Sequence, residues 1–366
     1  MIKVFGHLIK EVINPEFCLG CGACVASCCH GALEMVNGWP KLTGRCEICN
    51  VCYYQCPQVV SQEELKKNIF GRNVAAEEAV GIYQRAVSAQ TLDNEIRTRC
   101  QDGGAVTSLL TSLLETNFID GAVVTASNEW RPIPKVATTR AELLECAGSK
   151  YSRGGVMLGL RDAVDLYSCE RVAIVGLPCQ IKAVRRMQAS ERAIYRLTDA
   201  IKLCVGLFCT RAFPYEQFFK RVIEEQLDNK LTEVSKFDIK GGRFLIYRRG
   251  KPRRELALDA LDQFVDVPCR ICPDFSAELA DISVGATGSP LARSTVLQRT
   301  RVGVEASEIA EEMRAFDARP IEEVKPGLEA VRRLSILKKR AAKEEIERRR
   351  KLEKPLPFWL QERSVP

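Results

Sequence analysis

The chain has 366 residues, 46% hydrophobic and 28% charged, with a formal net charge of +7. That balance is ordinary for a soluble globular protein and leaves room for two or three domains. No apolar run reaches the roughly 18 residues of a membrane span, and the start, Met1 to His7, lacks a charged-then-apolar export signal. A cytoplasmic protein is expected, or one held at the inner membrane face only through a partner. Its 17 cysteines then point to metal chemistry rather than disulfide scaffolding.

Cys18, Cys21, Cys24 and Cys28 are spaced Cys-x-x-Cys-x-x-Cys-x-x-x-Cys, and Cys46, Cys49, Cys52 and Cys56, followed by Pro57, repeat the pattern. This is the two-cluster bacterial ferredoxin spacing, in which the fourth Cys of each run ligates the other cluster. The expected sets are Cys18, Cys21, Cys24 and Cys56 for one 4Fe–4S cluster, and Cys46, Cys49, Cys52 and Cys28 for the other. Gly20 and Gly22 should relieve crowding where backbone wraps the inorganic core. Cys29 stands where a Pro commonly follows the fourth Cys, as a spare thiol or a substitute ligand. A pair of zinc sites is the competing reading; disulfides are a third. His7 and His30, the two histidines, have no evident catalytic partner.

Residues 1–65 therefore read as a two-cluster ferredoxin module and 66–80 as a linker with helical content. From 81 to 325 the pattern becomes mixed α/β. Val106–Leu114 reads as a helix, and 121–126, 171–176 and 201–208 as buried strands. Residues 213–227 form an amphipathic helix, 234–249 a hairpin around Gly241-Gly242, and 281–285 and 295–298 late strands. Cys179 and Cys209 each follow a strand end, and Cys269 and Cys272 form a Cys-x-x-Cys. Strand carboxyl ends converge on the ligand side of an α/β sheet, so these four suit a third 4Fe–4S cluster; small core thiols are the alternative for Cys179 and Cys209. Cys100, Cys146, Cys169 and Cys204 lack such context.

Residues 326–366 comprise a charged helix over 327–353 and a tail. Glu344 with Arg348, Glu345 with Arg349 and Glu347 with Lys351 have helical ion-pair spacing. The helix is either solvated or docked on an acidic partner; nucleic acid is not expected, because no recognised fold or aromatic interleaving accompanies the charge. Phe358-Trp359-Leu360 is an apolar tail suited to covering a partner or its own body.

Collinear segments over about 81–305 resemble the coenzyme F420 hydrogenase/dehydrogenase beta-subunit family. They are Cys100–Thr107, Ile119–Ala122, Ala147–Tyr151, Val175–Gln180, Lys202–Cys209, Lys236–Ile239, Cys269–Cys272 and Asp274–Gly285. The resemblance implies an FAD-containing subunit that exchanges hydride with the deazaflavin coenzyme F420 and electrons with a partner. That partner would be a hydrogenase, formate dehydrogenase, heterodisulfide reductase or membrane F420H2 dehydrogenase complex. It also implies cofactor contacts. Gln101, Asp102, Gly103 and Gly104, with Thr107 behind them, would offer backbone N–H groups to a flavin pyrophosphate, unless they are a tight turn with Asp102 as N-cap. Gly148, Ser149, Lys150 and Tyr151 would touch flavin, with Thr138 and Thr139 as nearby hydroxyl donors. Gly176, Pro178 and Gln180 would frame Cys179 at the flavin edge. Lys182, Arg185 or Arg186 would attract the anionic F420 tail, unless they form an exposed helix face. The loop Gly285–Pro290 also follows the family. Two rivals remain: a chlorophyll-pathway-type tetrapyrrole reductase of the same broad family, and a non-catalytic electron relay.

Overall fold

The structure, a computed structural model, describes residues 2–75 and 77–361. Its strands are β1 (Leu33–Val36), β2 (Trp39–Leu42), β3 (Arg85–Thr91), β4 (Gly121–Asn128), β5 (Arg131–Ala137), β6 (Val172–Gly176), β7 (Ile201–Leu207), β8 (Val234–Lys240), β9 (Arg243–Arg248), β10 (Lys251–Ala257), β11 (Ile282–Gly285), β12 (Ser294–Gln298) and β13 (Phe316–Pro320). The central sheet has eight strands in the order β13-β3-β12-β11-β7-β6-β4-β5. β11, β7, β6 and β4 are parallel neighbours, and antiparallel pairs flank them on both sides. The four central strands are the apolar runs read from the sequence. β6 is buried at every position, because helices cover both faces of the sheet.

Helices Val156–Asp165 and Pro178–Gln188 pack one face through Met157, Leu160, Ile181 and Val184. Helices Ala105–Glu115 and Arg301–Glu312 pack the other through Leu109, Leu113, Ala306 and Ala310. β8, β9 and β10 form a separate antiparallel sheet over an aromatic core of Phe213, Phe218, Phe219, Phe237 and Phe244. The β8–β9 turn is Gly241-Gly242, at φ +55° and +69°, the left-handed pair that a two-residue hairpin turn requires.

The N-terminal module is not an independent bead. Leu19, Cys21, Ala23 and Ala26 share a core cluster with Val123 and Ile174 of the central sheet. The two cysteine runs adopt matching turns. Gly20 and Gly22 have φ of +63° and +82°, and Ile48 and Asn50, the residues 28 positions later, have φ of +54° and +61°. The glycines are needed for neighbours as well as for φ. A Cβ on Gly20 would stand 2.9 Å from the Gly38 carbonyl oxygen, and one on Gly22 would stand 3.2 Å from Leu158 Cγ.

Helix Gln62–Phe70 begins the helical connection, runs across the expected boundary at 65 and buries Leu65 and Lys66. The charged C-terminal helix, Leu328–Lys351, is neither free nor wholly solvated. It buries Val331, Ser335, Ala342 and Arg349, and Ile346 packs against the N-terminal module. Of the anticipated ion pairs, Glu345–Arg349 is present at 3.8 Å. Two further pairs along the exposed face run from Arg340 to Glu344 and from Lys343 to Glu347, one turn earlier than anticipated, because the basic residue lies N-terminal to the acid. The tail folds back as helix Phe358–Gln361 against Pro57–Val59, covering the body of its own chain.

Candidate functional site

Cys18, Cys21, Cys24 and Cys56 line one cavity with Leu19, Gly20, Pro40 and Pro57, enclosing about 320 Å³ of atom-free space partly open to solvent. Cys28, Cys46, Cys49 and Cys52 line a second of about 380 Å³ with Val4, Phe5, Leu42 and Val51. Each nest takes three cysteines from one run and the fourth from the other. The third cysteine of each run sits on a one-turn helix, Ala23–Ala26 or Val51–Tyr54.

The spacing within these nests bears on which metal they fit. Four thiolates around zinc, each at about 2.3 Å, stand about 3.8 Å from one another. Among the described residues, Cys29, His30 and Cys49 are the one group of three metal-binding side chains whose ligand atoms lie within 4.8 Å of one another. Neither nest is drawn in to a zinc radius. A 4Fe–4S cubane, whose cysteines bind separate irons, takes its sulfurs farther apart than zinc does. Cys29 does not line the second cavity, although its neighbours Cys28 and His30 do.

A third set gathers at the sheet. β6 ends at Gly176, paired in register with Gly206 of β7. Cys179, in the first turn of helix Pro178–Gln188, and Cys209, whose amide donates to the Phe275 carbonyl at 2.8 Å, therefore leave adjacent strand ends. Cys269 and Cys272 come to them at the end of the one-turn helix Val267–Arg270. Burial pushes the thiols of Cys179, Cys209 and Cys272 up, Cys209 to about 12, and each is pushed further by the other cysteines of the quartet.

Buried cations surround this quartet. Arg153 pairs with Asp266 and lies near Cys269, Cys179 and Cys18. Lys338, from the C-terminal helix, donates to the Cys209 carbonyl. Burial pushes its ammonium down, but the thiols of Cys272, Cys209 and Cys269 outweigh this and hold it above the ordinary lysine range. Lys182 is pushed down to about 8 by burial, against the opposing thiols of Cys272, Cys56 and Cys179. Its ammonium lies 5.2 Å from the centre of the Trp359 ring. This excludes the exposed helix face as the account of Lys182 and Arg185. Lys182 is buried, and Arg185 is committed to Asp281 at 2.8 Å and to the Leu279 carbonyl at 2.9 Å. The physical reason is helix Gln62–Phe70, which packs against that face.

The expected cofactor segments separate into two groups. Gln101 and the loop 148–151 come together. Gln101 Nε2 donates to the Phe237 carbonyl at 3.1 Å and to Tyr151 Oη at 3.4 Å, and its Oε1 accepts from the Ser149 amide at 3.4 Å. Lys236 Nζ donates to the Gln101 carbonyl at 2.8 Å. Tyr151, at the left-handed φ of +54°, donates to Asp238 Oδ1 at 3.3 Å. Burial, then the Asp238 charge, pushes its phenol well up, so it remains a donor. Asp102 is also pushed up, by burial and then by Asp238; Lys240 stands 3.1 Å from Asp238 and 3.8 Å from Asp102. Asp238 Oδ2 is buried without an aligned hydrogen bond. An incompletely satisfied carboxylate beside two lysines and a strained tyrosine fits the polar part of a bound cofactor. Lys236, Asp238 and Lys240 were not among the expected contacts. Their signal was the family-like segment Lys236–Ile239, which falls on the strand facing Gln101.

The remaining expected contacts have structural partners. Gly104, not Asp102, caps helix Ala105–Glu115. The Gly103 amide donates to Ser294 Oγ at 3.1 Å, and a Cβ there would fall 2.4 Å from the Ser294 nitrogen, so these glycines allow close packing instead of forming an open cradle. Thr107 sits in the first turn, its carbonyl accepting from Thr111. Thr138 and Thr139 both bond Glu142 in a helix cap. Lys150 Nζ donates to the carbonyls of Cys146, Ala147 and Gly148 at 2.5, 3.0 and 2.7 Å. Burial pushes it down to about 8, and three carbonyl acceptors keep it an ammonium at neutral pH. Gln180 bonds the Leu177 amide through Oε1 and the Gly154 carbonyl through Nε2, closing the turn from Gly176 through Pro178 to Cys179.

Family profiles match two segments. Residues 86–160 match the N-terminal part, and residues 169–324 the C-terminal part, of the family described as "Coenzyme F420 hydrogenase/dehydrogenase, beta subunit". The beta subunit of the coenzyme F420 hydrogenase of Methanothermobacter thermautotrophicus is 39% identical over 281 residues, which are 76% of this chain and 99% of that protein. One subunit of the F(420)H(2) dehydrogenase of Methanosarcina mazei is 27% identical, with 93% of this chain and 94% of that protein aligned. Among solved structures, a chain of the F420-reducing [NiFe] hydrogenase complex from Methanosarcina barkeri superposes with a TM-score of 0.72 at 34% identity, covering 75% of this chain and 95% of that one. On sequence and fold together, the chain belongs to the coenzyme F420 hydrogenase/dehydrogenase beta-subunit family.

Proposed function

We propose that the chain is the F420-handling, electron-transferring subunit of a larger redox complex. It would exchange hydride with coenzyme F420 through FAD and pass single electrons along three 4Fe–4S centres to or from its partner. The observation that carries this reading is the order of the three cysteine sites. The Cys179–Cys209–Cys269–Cys272 quartet adjoins the first nest through Arg153 and Lys182. The first nest adjoins the second, since Cys24 and Cys52 are within electrostatic reach. The second opens at the surface, where Cys49 is exposed. The relatives' names supply the coenzyme and the complex; hydrogenase-, formate dehydrogenase-, heterodisulfide reductase- and membrane dehydrogenase-type partners all fit the one-electron end.

FAD, when bound, exchanges hydride on one side and single electrons on the other, which joins a hydride carrier to iron–sulfur centres. Gln101, Tyr151 and Asp238 would hold its polar groups, and Lys236 and Lys240 would balance its charge. The strand-end quartet would collect electrons, and Trp359 and the C-terminal helix would keep water from the quartet and the first nest.

The test is anaerobic oxidation of reduced F420 by the FAD- and iron-loaded chain with an artificial one-electron acceptor. FAD-dependent turnover is the expected result. No turnover in a chain with FAD and about twelve irons would overturn the reading in favour of a plain relay or a tetrapyrrole reductase. Two substitutions refine it. Asp238→Ala should weaken FAD binding by about tenfold, measured by flavin fluorescence titration. Cys29→Ser should leave the iron content unchanged, whereas Cys28→Ser should strip the second centre; iron analysis with electron paramagnetic resonance (EPR) distinguishes a spare thiol from a ligand.

A further inference from the structure

Arg153 stands between two metal-binding regions, and the segment that carries it touches both. The Met157 amide donates to the Cys21 carbonyl at 3.0 Å. The Gly154 carbonyl accepts from Gln180, one residue from Cys179, at 2.8 Å. Its guanidinium pairs with Asp266, whose carbonyl accepts from the Cys269 amide at 3.0 Å. The side chain is 10% exposed, and Nη1 is buried with no acceptor among the described residues. Its charge falls on Cys269 and Cys179 of the quartet and on Cys18 of the first nest. A buried guanidinium within electrostatic reach of cysteines from both sites puts a fixed positive charge beside each, and nearby charge is one of the things that set cluster potentials. Lys338 approaches the quartet from the C-terminal helix, beyond the family-matched residues. It reaches Cys209, Cys272 and Cys269 of the quartet.

The geometry points to Arg153 as a residue that, beside Lys182, sets the reduction potentials of the quartet centre and the first-nest centre together, with Lys338 acting on the quartet centre alone. This rests on the 4Fe–4S reading above. One-electron reduction adds a negative charge to a centre, and a fixed cation nearby stabilises the reduced form. Removing that cation favours the oxidised form, so the midpoint falls. Arg153 would keep two successive centres level, and Lys338 would let the C-terminal helix trim the one nearest the flavin.

The experiment is an EPR-monitored potentiometric titration of the full, anaerobically reconstituted chain. Arg153→Met should lower two of the three midpoints, each by at least about tenfold in the reduction equilibrium, or about 59 mV for one electron. Lys338→Met should lower one of those two and leave the other two centres alone. Arg153→Lys keeps the charge and should keep most of the potential. A chain that holds three centres but shows unchanged midpoints in Arg153→Met, or an equal shift of all three, overturns the inference. If Arg153→Met loses iron, Lys338→Met decides: a shift in no centre, or in more than one, overturns it. Failure of the underlying reading shows separately, as fewer than three centres in the unsubstituted chain.

Discussion

Cys179→Ser is expected to lower the iron content from about twelve to about eight per chain and to abolish electron delivery from reduced F420 to a one-electron acceptor. Hydride exchange with FAD should survive, seen as flavin bleaching in a stopped-flow mix. The argument is geometric. Cys179 occupies the first turn of a helix that follows directly on β6, and the turn is closed by Gln180 bonds on both sides. Serine fits that space but offers no thiolate. The other three cysteines of the quartet follow the end of β7 or lie on and just after helix Val267–Arg270, so nothing local replaces it. Cys204→Ala is the control: this thiol is fully buried within β7, five positions before Cys209, and its loss should leave the iron count unchanged. Retention of about twelve irons in Cys179→Ser would remove the quartet from the electron path.

Glu278→Gln should be the most destabilising single substitution outside the cysteines, costing about 3–5 kcal/mol in urea unfolding of the iron-loaded chain. Glu278 is 1% exposed. It pairs with Lys66 of helix Gln62–Phe70 and, at 2.8 Å, with Lys339 of the C-terminal helix. Its amide donates to Asp274, which also accepts from Gln62 at 2.9 Å. One carboxylate thus ties the N-terminal connection and the C-terminal helix to the loop that carries Cys272. Its removal takes from Lys66, itself buried, the carboxylate it is paired with and leaves Asp274 as its remaining acidic neighbour, and breaking a buried pair costs more than the pair contributes.

The pH dependence has a definite sign. Burial pushes the Glu278 carboxyl up, but Lys66 and Lys339 outweigh burial and hold it below the ordinary glutamate value. The stabilisation is therefore complete above that ordinary value and is lost as pH falls through the lower, folded one. The unsubstituted chain should lose stability on acidification through this range. Glu278→Gln should lose less over the same range, so the gap between the two narrows in acid. Urea midpoints measured across a pH series check both statements.

Much of the site was legible before folding. The membership of both nests followed from Cys-x-x-Cys-x-x-Cys runs, because three-residue spacing forces three thiols into one turn and leaves the fourth for the other run. Cys179 and Cys209 were legible as strand-end residues because 171–176 and 201–208 are short, mainly apolar runs of the kind that covered parallel strands show. Other elements left little trace. β10, Lys251–Ala257, is exposed at nearly every position, so it lacks the alternation that marks a half-buried strand. β13 is an edge strand ending in Arg319 and Pro320, and its pairing with β3 depends on residues more than 200 positions away. The covering of the basic face on helix Pro178–Gln188 was illegible for a related reason: periodicity shows that a face is polar, but not that helix Gln62–Phe70 will pack on it.

The cysteine sets, the four central strands, the family resemblance and the long C-terminal helix were all fixed by local pattern. Each depends on spacing within a few residues or on a continuous run. Packing was needed to bring Asp238 to Tyr151, to join Lys66, Glu278 and Lys339 in one buried cluster, and to set Arg153 and Lys338 beside the quartet. Those contacts join residues tens to hundreds of positions apart. The charge of a lysine or arginine reads the same in a sequence whether it faces solvent or a buried sulfur. Burial, which packing alone sets, decides which of those charges stand beside the buried cysteines.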